Sequence, residues 1–157
     1  MDKPAVPSLA EWAGGTAAFE RLTDVFYGKV VRDPLLAPVF AGMPPAHARH
    51  VAWFIVEVFG GEPAYTTHGG SHPGMIRRHM ERNLTEPMRR RWIELMMDAA
   101  DEVGLPGDPE LRSAFAGYLE WGTRLAVNNS QPGARPPGAK WPMPKWGWGP
   151  PGGPFRS

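Results

Sequence analysis

The stretch HARHVAWFIVEVFGG, His47 to Gly61, decides the fold class. His47, Val51, Phe54, Ile55 and Val58 stand at i, i+4, i+7, i+8 and i+11, one face of an α-helix that Gly60-Gly61 would stop. The same period recurs on both sides. Upstream, after a break at Gly14-Gly15 with Thr16 as the expected N-cap, Phe19, Leu22, Phe26 and Val30 form a stripe with Tyr27 at its edge. Downstream, Met88, Trp92, Leu95, Met96 and Ala99 form a third stripe, closed by Gly104-Leu105-Pro106. Leu111, Phe115, Tyr118, Leu119, Gly122 and Leu125 form a fourth. No comparable run alternates with period two, so the chain reads as all-α.

Between Gly60 and Thr85 the period fails. EPAYTTHGGSHPGM is rich in glycine and proline, which favours a long ordered loop over a helix. Helical register resumes near Met75, so His79 in SHPGMIRRHMERN is expected on a short helix hung from that loop.

The chain has 157 residues, enough for one domain with its own core. With 42% apolar and 21% charged residues it has the composition of a soluble globular protein. No apolar run approaches the ~18 residues of a membrane span, and MDKPAVPSLAEW lacks the layout of a signal peptide. A cytoplasmic location is therefore expected. The absence of cysteine removes disulfides, thiolate nucleophiles and cysteine-held metal sites.

A net charge of +1 conceals an asymmetry. Residues 131–157 hold four basic residues and no acid, which leaves thirteen basic against sixteen acidic residues in 1–130. A body that is not basic argues against nucleic-acid binding. The tail, QPGARPPGAKWPMPKWGWGPPGGPFRS, carries eight prolines and six glycines, so a disordered segment is expected over 131–157. Its Trp141, Trp146, Trp148 and Phe155, interleaved with Lys140 and Lys145, could instead dock on a partner. Residues 1–11, with Pro4 and Pro7, are also expected to be loose, leaving 12–130 as the folded domain.

Chemistry-bearing motifs are few. The five histidines, His47, His50, His68, His72 and His79, show no HExxH or zinc spacing, and neither a nucleophile elbow nor a phosphate-binding loop is present. What remains is a set of aromatics with polar tips on buried faces, Tyr27, Trp53 and Trp92, with His47 heading an apolar stripe. Buried Tyr and Trp need partners for O–H and N–H. Several such donors facing one cavity could bind a small, partly anionic ligand, or each could bond a neighbouring carbonyl.

Taken together, GGTAAFERLTDVFYGKVVRDPLLAPVF, FIVEVFGGEPAYTTHGGSHP, RRH and WIELMMDAADEVGL resemble the group II truncated haemoglobins, over roughly Trp12 to Asn128. The resemblance implies a globin-like two-over-two helical sandwich around haem b. His79 matches the proximal iron ligand, Tyr27 the distal tyrosine, Trp92 the distal tryptophan and Phe40 the aromatic that packs on the haem face. His47 and Val51 match the two distal positions of their helix, where the family usually has a small residue in place of His47. The tract from Tyr65 to His72 is one residue longer than the family pattern.

On this resemblance the apolar slot for the macrocycle draws on Phe40, Val51, Phe54, Tyr65, Met75, Ile76, Leu84 and Met96, with His50, Arg77 or Arg78 at the propionates. Neutral imidazole at His79 supplies one axial ligand and leaves the opposite position open. The expected ligands are dioxygen, carbon monoxide, nitric oxide or peroxide. Tyr27 O–H and Trp92 N–H would each stabilise bound dioxygen by on the order of 1.5–3 kcal/mol. Release would then be slow, which suits peroxidase or nitric-oxide dioxygenase chemistry better than oxygen transport, and such chemistry needs an unidentified electron donor. His47 is expected as a third donor or acid–base group, as a ligand that blocks the iron, or turned to solvent. Relatives self-associate, so a homodimer is expected. The competing reading is a haem-free helical interaction module that uses the aromatic tail.

Overall fold

Each apolar stripe becomes a helix. The computed structural model describes residues 5–155 and contains, in order, α1 (Leu9–Ala13), α2 (Gly15–Val30), α3 (His47–Val58), α4 (Ala64–Thr67), α5 (His72–His79), α6 (Glu86–Glu102) and α7 (Pro109–Asn129). Pro4 and Arg156 lie outside the described residues. No helix is long and apolar enough to cross a membrane among the described residues.

The stripes face one another. On α2, Phe19, Leu22, Phe26 and Val30 are fully buried; on α6, Met96 and Ala99; on α7, Phe115 and Leu119. Helix α2 packs on α3 and on α6, while α7 packs on α6 and α5. The pairs α2/α3 and α6/α7 are the two layers of a two-over-two sandwich. Phe59, just past α3, ties them together through edge-on contacts with Phe19, Phe115 and Tyr118 at ring separations of 5.8, 6.1 and 5.2 Å. Arg89 on α6 is buried and bonded to Glu86 on its own helix and Glu120 on α7, at 2.6 and 3.3 Å.

Helix starts follow their capping residues. Ser8 Oγ accepts from the Glu11 N–H, Ser71 Oγ from Gly74, Thr85 Oγ1 from Met88 and an Asp108 carboxylate oxygen from Leu111. Thr16 does not cap α2. Gly14, at φ 115°, closes α1 and opens α2 in one residue, so Thr16 falls inside the helix and its hydroxyl reaches Glu62 at 3.5 Å.

Two expectations about the ends do not hold. Leu9 and Ala10 belong to α1 and are each only 1% exposed, and the Ala10 N–H donates to the Phe59 carbonyl at 3.2 Å. Apolar side chains at residues 9, 10 and 13 give this short helix a buried face, so 1–11 is not loose throughout. The tail forms no helix, but it lies on the body: the Trp146 N–H donates to the Val58 carbonyl at 2.9 Å and the Trp148 indole to the Pro7 carbonyl at 2.8 Å. Proline removes donors, yet tryptophan supplies enough burial and hydrogen bonding to fix an extended segment.

The irregular tract after Gly60 contains the single turn α4, which sequence period does not reveal. Its Thr66 is bonded through both N–H and hydroxyl to Glu57 on α3, each at 3.0 Å.

Candidate functional site

A cavity of about 590 Å³ opens between α2, α3, α5, α6 and α7. Its upper group of polar tips comes from three helices. Tyr27 on α2, His47 at the first position of α3 and Trp92 on α6 all line it. Tyr27 Oη and His47 Nε2 are 3.0 Å apart, so His47 turns inward onto the phenol and away from solvent. Phe26 wedges Trp92 and Tyr27 from behind, with ring separations of 4.8 Å to each. Phe40 stands edge-on to Tyr27 at 5.7 Å and also lines the cavity.

Burial sets the charge state of this group. The Tyr27 phenol is pushed well above its ordinary range by desolvation, so it stays protonated. His47 is pushed down to about 4, first by burial and then by Arg78, His79, His50 and Arg82, so its imidazole is neutral at neutral pH. A neutral His47 has two tautomers with different consequences. With hydrogen on Nε2 it donates to Tyr27 and leaves the phenolic hydrogen for a ligand; with hydrogen on Nδ1 it accepts that hydrogen and removes it.

His79, the last residue of α5, lines the same cavity. Its Nδ1 bonds to the Met75 carbonyl one turn back at 2.9 Å, which fixes the ring and leaves Nε2 without a hydrogen bond among the described residues. Burial is the first cause that lowers its pKa, and the Met75 bond opposes it. The result is a neutral, oriented imidazole, the state a metal ligand requires. Among the described residues no three His, Cys, Asp or Glu side chains cluster to hold a bare ion. A lone imidazole in an apolar slot fits a metal that brings its own equatorial ligands.

The remaining expected contacts divide. Val51, Phe54, Met75, Ile76 and Leu84 line the cavity with apolar surface, and His50 and Arg78 add polar groups to it. Tyr65 and Met96 do not line it. Tyr65 is buried behind Phe54, edge-on at 5.2 Å, and Met96 is fully buried in the core cluster. Trp53 also points elsewhere, with its indole N–H donating to Glu20 at 3.1 Å. Arg77 is exposed and outside the lining.

Sequence reading missed His72, Arg82, Met88 and Trp121, which all line the cavity. Trp121 sits beside Tyr118 on α7, three residues along a stripe that was legible, and this was the one available signal. His72 begins α5 and Arg82 lies three residues past its end, where the helical period is too short to assign a face.

Donors above, a tethered imidazole on a short helix and an apolar slot inside a two-over-two sandwich define a globin pocket. Comparison with known proteins agrees. Residues 8–117 match the family model described as bacterial-like globin. The group 2 truncated hemoglobin of Bacillus subtilis (strain 168) is 36% identical over 117 residues, covering 74% of this chain and 86% of that protein. The group II truncated hemoglobin from Bacillus anthracis superposes with a TM-score of 0.71 at 28% identity, over 84% of this chain and 98% of that one. A truncated oxygen-avid haemoglobin from Bacillus subtilis gives 0.68 at 35% identity, over 78% and 100% of the two chains. The chain belongs to the bacterial-like globins, in the group II truncated haemoglobin branch, a family that implies a haem cofactor and small gaseous ligands.

Proposed function

We propose that this globin binds haem b, whose iron His79 Nε2 would hold, and that Tyr27, Trp92 and His47 would hold dioxygen and related diatomic ligands in the same cavity. When bound, the haem would supply a ferrous iron with one open coordination position for a gas. Phe40, Val51, Phe54, Ile76 and Leu84 would enclose the macrocycle, and Arg78 with His50 would meet its propionates through charge-assisted hydrogen bonds. The observation that carries the reading is that Tyr27, His47 and Trp92 line the same apolar cavity as the oriented imidazole of His79.

These residues would make ligand release slow. Tyr27 and Trp92 donate to a ligand that carries partial negative charge, each contributing on the order of 1.5–3 kcal/mol. Trp92 Nε1 has no protein acceptor among the described residues, so a ligand does not compete for its hydrogen bond. His47 in its Nε2–H form directs the Tyr27 hydrogen towards the ligand. A neutral imidazole beside a protonated phenol can also accept and return a proton. Peroxide cleavage or nitric-oxide dioxygenation would use that capacity, with electrons from a separate donor. The retention of ligand favours such chemistry over transport.

Stopped-flow oxygen release from the reduced, haem-loaded protein tests the donor assignment. Tyr27→Phe and Trp92→Phe should each release oxygen at least about tenfold faster, since ~1.4 kcal/mol is a factor of ten. Parental rates in both variants would remove these side chains from the ligand.

A further inference from the structure

No tail residue lines the cavity among the described residues, but the tail packs against residues that do. The Pro142 carbonyl lies near the His72 ring and opposes the lowering of its pKa by burial. The Trp146 ring meets Tyr118 edge-on at 5.8 Å and Trp121 at 5.9 Å, and a side chain built at Gly117 would approach it at 3.5 Å. His72, Tyr118 and Trp121 all line the cavity, and Trp121 also lies 6.4 Å from the His72 ring. Two hydrogen bonds tie this segment to the body: the Trp146 backbone N–H caps the last carbonyl of α3 at Val58, and the Trp148 indole N–H donates to the Pro7 carbonyl. Trp141, by contrast, is 52% exposed.

We infer that Pro142 to Trp148 forms a strap that backs the cavity lining from outside at its α5–α7 edge, and that Trp146 is a positioning residue that holds Trp121 and Tyr118 in place to retain the haem. The inference rests on the haem reading above. Trp121 remains 39% exposed even with the strap in place, so without Trp146 the ring would lose its main aromatic backing and that edge would loosen. Tyr27, His47 and Trp92 make no ring or hydrogen-bond contact with the strap among the described residues, since they come from α2, α3 and α6. The strap therefore governs how long the cofactor stays, and the distal donors govern how long the gas stays.

Haemin transfer from the full-length protein to excess apomyoglobin reads this directly. Trp146→Ala should lose haemin about tenfold faster, since the ring contacts to both Tyr118 and Trp121 are removed. Trp146→Phe should recover most of the parental rate, Trp141→Ala should match the parent, and oxygen release should stay unchanged in all three. Parental haemin loss in Trp146→Ala overturns the inference, as does an equal acceleration of oxygen release, which would signal general loosening. Amide exchange in the apoprotein gives a second reading that needs no variant: the Trp146 N–H should be protected, and free exchange there also overturns it. A parent that takes up no haemin would sink the haem reading instead, while the amide exchange would still report on the strap.

Discussion

At His79 the bond from Nδ1 to the Met75 carbonyl, 2.9 Å long, converts an ordinary helix histidine into an oriented imidazole. The sequence shows the imidazole but not its acceptor, because any of several backbone carbonyls one turn back could serve. Asp33 is a second residue whose role needs the third dimension. Its buried carboxylate accepts from Arg91 Nε at 2.7 Å and from the Leu35 and Leu36 N–H groups, fastening the turn after α2 to α6. The Arg91 hydrogen bond is the largest cause that holds its pKa below the ordinary carboxylate value. A depressed folded-state pKa contributes stability that is present above the unfolded pKa, about 3.9, and is lost as pH falls through the folded value. Asp33→Asn should therefore melt below the parent at neutral pH, with the gap closing as the pH drops under about 4. Thermal melts across that range check it, and a gap that stayed constant down to pH ~2 would contradict the linkage. In sequence, Asp33-Pro34 announces only a turn; the distant arginine, 58 positions on, has no local signature.

At the scale of elements, helical period was enough for α2, α3, α6 and α7, because each buries a stripe wide enough to exceed the noise of single residues. It was not enough for α1 and α4, single turns that owe their existence to caps and packing, and it located α5 only from Met75 on, three residues after the helix begins. The same limit explains Tyr65 and Met96: a stripe says that a side chain is buried, not whether it meets the cavity or the core. The end of α3 shows a signal that was legible and is now physical. Gly60 adopts φ 81°, and a Cβ on Gly61 would lie 2.6 Å from Val56 Cγ1 and 2.8 Å from Ala10 Cβ. Gly61→Ala should cost about 1–3 kcal/mol by forcing α1 off α3. Gly107→Ala, with open space around it, should change little. Denaturant melts that ranked the two equally would refute the close-approach argument.

In the whole molecule the four long helices build the sandwich, the loop after α3 delivers α5, and the tail closes the edge that α5 and α7 leave. Composition alone suggested a disordered tail because it counts prolines and glycines, and misses that Trp146 and Trp148 each find a backbone carbonyl. That docking also weakens the haem-free interaction reading, since it occupies two of the four tail aromatics inside the molecule. The haem reading joins every level, from one hydrogen-bonded imidazole to the cavity that five helices line. Its most direct test is the absorption spectrum of the haemin-loaded, reduced protein with and without carbon monoxide, in the parent and in His79→Ala. The account predicts an intense Soret band that carbon monoxide shifts in the parent, and in the variant a weakened haemin affinity and altered band that added imidazole restores. The same affinity and spectrum in His79→Ala would contradict it.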